Sequence, residues 1–180
     1  MKTLKRSITV LVCLILFASC SVTKYKKLGS KIGVIQTLED GQLEYKGSFI
    51  DGKQDGLSKT YWENGQLKEE INWKDGKQDG LSKTYWENGQ LEYKGSYTNG
   101  IQSNICESYY ESGQLNKRHH HKENSTSNSK DGISVTYFKS GKLKEKGNYV
   151  DNKKDGVWEF YKKNGKLKNK VNYKDGKEIN

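Results

Sequence analysis

A chain of 180 residues with 19 Gly, no Pro and only 32% apolar residues has too little apolar material for a thick globular core, and the lack of Pro argues against a Pro-rich disordered tail. Its formal charge of +10 favours anionic surfaces or acidic partners. However, basic and acidic residues interleave with no basic run, so a solvated sheet face is the expected reading and a nucleic-acid footprint is not.

The chain opens with a basic stretch, MKTLKRS at 1–7, followed by the apolar ITVLVCLILFA at 8–18. Eleven apolar residues are too few for a bilayer-spanning helix, which needs about 20; a positive segment before a short apolar one reads as an export signal. Phe17-Ala18-Ser19-Cys20 follows. It resembles a bacterial lipobox, in which small residues precede a Cys that receives a diacylglyceryl group. The resemblance implies removal of 1–19 as a lipoprotein signal peptide, acyl chains on Cys20 and stable anchoring. With Ser21 and no acidic export tract after it, an outer-membrane lipoprotein facing the periplasm is expected. Residues 20–36 read as a basic tether. Cys13 leaves with the signal, so Cys106 is the one unlipidated thiol of the mature chain, and no intramolecular disulfide is possible.

From residue 37 to 180 the chain repeats. DGKQDGLSKTYWENGQL occurs at 51–67 and again at 75–91. A Gly followed two residues later by Leu recurs at Gly41, Gly65, Gly89, Gly113, Gly141 and Gly165, in steps of 24 with one step of 28. A fixed period of this length marks stacked supersecondary units. Within a unit, Leu67-Glu69-Ile71-Trp73 and Leu91-Tyr93-Gly95-Tyr97 alternate with polar residues, the period-two pattern of strands with one packed and one wet face. Gly47, Gly95 and Gly147 leave space for a neighbouring strand's ring. Asn64-Gly65 and its equivalents read as two-residue hairpin turns, and Asp51-Gly52-Lys53-Gln54-Asp55-Gly56 as a longer loop. The expected fold is all-β: stacked antiparallel β-hairpins in one long twisted meander sheet of about six units, with helix only in the signal. The fourth unit, 104–135, is irregular. Asn104-Ile105 stands where Asp-Gly stands elsewhere, His119 and His121 occupy Gly and aromatic positions, and HKENSTSNSK at 121–130 reads as a protruding loop with weaker packing around it.

Tyr45-Lys46-Gly47-Ser48-Phe49-Ile50-Asp51-Gly52-Lys53-Gln54-Asp55-Gly56 resembles the MORN repeat core: aromatic, any residue, Gly, any residue, aromatic, two residues, Gly, three residues, Gly. Joined to the tyrosine and Asn-Gly-x-Leu half, it is similar to the bacterial MORN-repeat variant and to chains described as YwqK family antitoxins. The resemblance covers 37–180. It implies a scaffold without a catalytic set, and, through the antitoxin likeness, an immunity protein that neutralises a toxin by direct binding.

Neither catalytic residues nor a cofactor or small-molecule substrate is expected. Glu63, Glu87 and Glu111 mark a repeat position in the turns, with nothing apolar around them to raise a pKa. In His119-His120-His121 alternate residues face opposite ways, so only two converge; with no Cys or carboxylate pair to complete a set, a solvated loop is expected and no metal. Tyr61, Tyr85, Tyr109, Tyr137 and Tyr161 read as structural rungs. The residues after the first four, Trp62, Trp86, Tyr110 and Phe138, form a second ring column on the opposite face, which is the candidate binding face; Lys162 ends it. Rings that simply cover the turn are the competing account. The expected function is a non-catalytic, envelope-anchored scaffold for an unknown protein partner, attached to the membrane through its N-terminal lipid.

Overall fold

The computed structural model describes residues 21–38, 41–121 and 129–179. The expected signal peptide with its helix at 1–19, Cys20 and most of the 121–130 segment lie outside the described residues. The described residues form fifteen strands and no helix: β1 (Ser21–Leu28), β2 (Lys31–Leu38), β3 (Leu43–Ile50), β4 (Lys53–Gln54), β5 (Gly56–Tyr61), β6 (Leu67–Lys74), β7 (Lys77–Tyr85), β8 (Leu91–Thr98), β9 (Ile101–Tyr109), β10 (Leu115–His121), β11 (Lys130–Tyr137), β12 (Leu143–Val150), β13 (Lys153–Tyr161), β14 (Leu167–Lys174) and β15 (Lys177–Ile179). Each pairs antiparallel with its chain neighbour in one open meander, the two-residue β4 pairing with β3 beside β5. At about 4.8 Å per strand, the sheet runs for about 60 Å. No described helix is long and apolar enough to cross a membrane.

The two turn types are exchanged relative to expectation. Asp-Gly makes the two-residue hairpin: Ile50 pairs with Lys53, and Asp51 and Gly52 have φ of 47° and 79°. Two consecutive positive φ values define the type I′ turn that suits strand twist. The same geometry recurs at Asp75-Gly76, Asn99-Gly100 and Asp151-Asn152. At the other end, the amide of Gly65 donates to the Trp62 carbonyl and that of Trp62 to the Gln66 carbonyl, both at 2.8 Å. Only Gly65 of this turn has positive φ, 81°, which makes a three-residue loop closed by a glycine bulge. Asn64 serves by its side chain, its Oδ1 accepting from the Gln66 amide at 2.9 Å.

The second Gly of the expected long loop is a bulge inside a strand. Between Ile71↔Ser82 and Trp73↔Gln78 the register shifts by two residues, and Gly80 there has φ 109°. Because the shift is two, the side chains beyond it keep their faces. In the fourth unit Asn104 takes this position with φ 60°, one residue earlier than the Asn104-Ile105 alignment implied.

Residues 21–38 are not a tether. β1 and β2 form a hairpin in unbroken register from Ser21↔Leu38 to Leu28↔Lys31, and β2 pairs along β3. Val34 lies 24 residues before Ser58 and occupies the same buried repeat position. The hairpin lacks the two-residue bulge, which displaces its turn to Gly29-Ser30 and hides the period.

The packed face is a row running across the strands: Val34, Gly47, Ser58, Ile71, Ser82, Gly95, Cys106, His119, Ser134, Gly147, Trp158 and Val171, matched by pairings such as Val34↔Gly47, Ser82↔Gly95, Cys106↔His119 and Trp158↔Val171. Rings cover its glycines. The ring over Gly147 is Trp158 from the next strand, as expected, whereas Gly47 and Gly95 are covered by Tyr45 and Tyr93 of their own strands. Packing is not weaker in the fourth unit: Cys106, Glu107, His121, Ser129 and Ser134 are all buried, because larger side chains fill slots that Gly and Ser occupy elsewhere.

Candidate functional site

Consecutive units are tied turn to turn along the edge that carries Trp62. The indole Nε1 of Trp62 donates to the Tyr85 carbonyl at 3.0 Å, that of Trp86 to the Tyr109 carbonyl at 3.3 Å, and the Tyr110 hydroxyl to the Tyr137 carbonyl at 2.8 Å. Asn64 and Asn88 repeat the tie through Nδ2 to the Glu87 and Glu111 carbonyls at 2.8 and 2.7 Å. Trp62, Trp86, Tyr110 and Phe138 are accordingly half-buried, and Lys162 is exposed. The Lys68 ammonium sits 4.4 Å from the Trp62 ring centroid. Trp62, Trp86 and Tyr110 brace one unit against the next, and all four rings leave part of their surface to solvent. Glu63, Glu87 and Glu111 are exposed in the turns.

The sheet face opposite the packed row carries a pattern that the Gly-x-Leu spacing does not mark, because it lies on the strand before each Gly-x-Leu turn and not on the one after it. Leu57, Leu81, Ile105, Ile133 and Val157 share one repeat position and are 37–58% exposed. Their cross-strand partners are polar or histidine, as in Leu57↔Asn72, Leu81↔Ser96 and Ile105↔His120. They recur on every second strand, about 10 Å apart. Two shallow hollows of about 290 and 250 Å³ open on this face, one lined by Ile133, Val157 and Lys146, the other by Ile35, Lys24 and Lys46.

Beside the aliphatic row runs a row of ion pairs, each carboxylate set between two cations. Glu70 lies 2.9 Å from Lys59 and 3.5 Å from Lys83. Glu107 lies 2.7 Å from Arg118 and 3.3 Å from Lys94, and Glu159 lies 2.8 Å from Lys170 and 2.9 Å from Lys146. Hydrogen bonds from Lys170, Tyr161 and Lys146 hold the Glu159 carboxyl down at about 2. The Lys59 hydrogen bond lowers Glu70 against the opposing effect of burial. Burial raises Glu107, but donors on Tyr109, Arg118 and Lys94 outweigh it and leave the group lowered. Tyr109 and Tyr161 donate to Glu107 and Glu159 at 2.8 and 2.6 Å, so these tyrosine rungs also orient the carboxylates.

On the packed face, the expectation of solvated histidines is overturned. His119 and His121 lie in β10, and His121 is 5% exposed. No cysteine was expected beside them, yet antiparallel register sets Cys106 directly opposite His119. One donor atom from each of Cys106, His119 and His121 falls within 4.8 Å of the other two. The signal was available: one hairpin separates paired positions by 13 residues, the distance from Ser82 to Gly95 and from Cys106 to His119. Burial pushes the His119 imidazole down to about 4, with His121, Lys117 and Lys130 adding repulsion. Burial also raises the Cys106 thiol, opposed by a hydrogen bond from the Tyr93 hydroxyl at 3.2 Å.

An open sheet assembled from near-identical hairpins, with side-chain variety confined to fixed positions, defines a repeat scaffold. The MORN repeat variant family matches at residues 54–75, 78–99, 103–123, 130–151 and 154–175. Those segments make up more than half of the chain, which belongs to that family. Comparison with curated proteins gave no match.

Proposed function

We propose that this chain is a non-catalytic scaffold that binds another protein, held at the bacterial envelope by acyl chains on Cys20 and facing the periplasm from the outer membrane. The observation that carries protein binding is the row Leu57, Leu81, Ile105, Ile133 and Val157, exposed at one repeat position and flanked by polar residues and ion pairs. Aliphatic side chains in a regular row are what a second protein can desolvate, and the neighbouring ion pairs supply a polar rim. The half-buried ring column is the second contact surface, contributing the ring faces that the inter-unit ties leave open. Anchoring rests on the lipobox-like Phe17-Ala18-Ser19-Cys20.

Cross-linking of the intact protein in its own envelope, followed by capture, tests the reading. Leu81→Asp combined with Ile105→Asp changes exposed residues and is expected to abolish capture with the circular dichroism spectrum unchanged. Capture that survives this change but fails in Trp62→Ala with Trp86→Ala moves the interface to the ring column. Capture unaffected by either pair sinks both surfaces. A captured partner whose toxicity is suppressed by the chain makes the scaffold an immunity protein. For the anchor, palmitate labelling is expected to disappear in Cys20→Ala, and labelling that persists refutes acylation at this residue.

A further inference from the structure

We infer that Cys106, His119 and His121 form a binding site for one d10 transition-metal ion, zinc(II) or copper(I). The three residues come from adjacent strands β9 and β10 and meet on the packed face, with donor atoms no more than 4.8 Å apart. Among the described residues, three buried side-chain polar atoms have no hydrogen-bond partner, and two of them are Nδ1 of His119 and Nε2 of His121. A buried nitrogen without a partner is costly. Two imidazoles, each with an unpartnered buried nitrogen and each with a ring nitrogen near a buried thiol, are accounted for by an ion that all three residues ligate.

The surroundings are those of ligands held in place. The Ser129 carbonyl lies 3.1 Å from Nδ1 of His121, so Nδ1 carries the proton and the Nε2 lone pair is free to bind. The Tyr93 hydroxyl donates to the Cys106 sulfur at 3.2 Å, which stabilises a thiolate. Such outer contacts orient metal ligands and set their protonation. The absence of a Cβ at Gly95 gives the Tyr93 ring its place beside the sulfur, since a Cβ there would meet both the Tyr93 hydroxyl and Cys106 Sγ.

Around a tetrahedral ion with bonds of about 2.0–2.3 Å, the donors would be about 3.4–3.8 Å apart. The site therefore closes by about 1 Å, within reach of side-chain rotation. A thiolate and two imidazoles select zinc(II) or copper(I) over magnesium or calcium. Binding displaces the Cys106 thiol proton to solvent, and three protein ligands leave a fourth position open.

Repetition supplies a clean control. Ser58, Ser82 and Ser134 stand at the Cys106 position, and Gly47, Gly95 and Gly147 at the His119 position. Cys106→Ser and His119→Gly thus install residues that the same fold uses elsewhere. The full chain is titrated with cobalt(II) as a spectroscopic probe. The expected result is one cobalt per chain with tetrahedral d–d bands and a thiolate-to-cobalt charge-transfer band, displaced stoichiometrically by zinc. Cys106→Ser is expected to lose the charge-transfer band and, since removing only an outer partner costs about 10- to 100-fold, to bind zinc at least about 100-fold more weakly, with unchanged circular dichroism. His119→Gly is expected to lose the tetrahedral bands. Competition against a copper(I) chelator separates the two ions. Absence of a charge-transfer band, or equal zinc affinity in Cys106→Ser, overturns the site and leaves adventitious binding to the histidine run. Cys13 and Cys20 are common to both proteins, so the difference isolates Cys106.

Discussion

The hairpins around Trp158 and around Cys106 use the same repeat positions for opposite ends. Trp158 is 1% exposed and Cys106 fully buried, 52 residues apart on the same row. Around Trp158 no buried side-chain polar atom among the described residues is left without a partner. Its Nε1 donates to the Asn148 carbonyl at 3.0 Å, the rings of Tyr149 and Tyr173 meet it edge-on at 5.1 and 6.5 Å, and the Lys154 ammonium lies 4.0 Å from its centroid. Around Cys106, imidazoles replace the Gly and aromatic positions, and two nitrogens are left over. A single-layer sheet has no deep interior in which to hide a functional group. It can, however, exchange a packing residue for a donor atom in one unit while the neighbouring units hold the backbone.

The first way to break this comparison is to empty the Trp158 slot. Trp158→Ala is expected to cost about 3–5 kcal/mol in the C-terminal units, the range for deleting a buried large aromatic. Denaturant unfolding followed by tryptophan fluorescence and circular dichroism checks it. Since units contact only their neighbours, the loss should unfold β12–β14 before β5–β8. A shift below about 1 kcal/mol would mean that Trp158 does not anchor these hairpins.

Gly147→Ala attacks the same slot from the other side and should cost less, about 1–3 kcal/mol, as overpacking does. A Cβ at Gly147 would collide with the body of the Trp158 indole, whereas at Gly47 it would meet the far, movable end of Tyr45. Gly47→Ala is therefore expected to be the milder change. Equal effects on the unfolding midpoint would show that ring cover is equally adaptable in both units.

The architecture was legible because it rests on positions that repeat: Gly-x-Leu spacing and alternating strands suffice to specify stacked hairpins. Turn chemistry was not, because Asn-Gly and Asp-Gly both tolerate positive φ and only the pairing Ile50↔Lys53 tells which closes the tighter hairpin. The β1–β2 hairpin escaped because one missing two-residue bulge displaces its turn from the period while leaving Val34 in place. The ring column was legible as residues, but its ties to the next unit depend on strand-to-strand distances that spacing does not give. Cys106 went unpaired for a related reason: a ligand set across two strands exists only once their register is known, and β9 and β10 supply it.

The smallest expected effect concerns the ion-pair row, which spans both regions but is interrupted at Val135, between Arg118 and Lys146. Glu159→Gln removes the carboxylate that Lys146 and Lys170 share, and a modest fall in the unfolding midpoint is expected at pH 7. The sign of its pH dependence follows from the lowered carboxyl. Glu159 titrates at about 2 in the folded chain against an ordinary 4.5, so the folded state binds its proton less readily than the unfolded state. The stabilisation is complete above about pH 4.5 and is lost as pH falls toward 2. The gap between wild type and Glu159→Gln should therefore close across that window, and added salt should narrow it at pH 7, since these groups face solvent. A gap that stays constant from pH 6 to 2 would mean that hydrogen-bond shape at Glu159, and not its charge, holds Lys146 and Lys170 in the row.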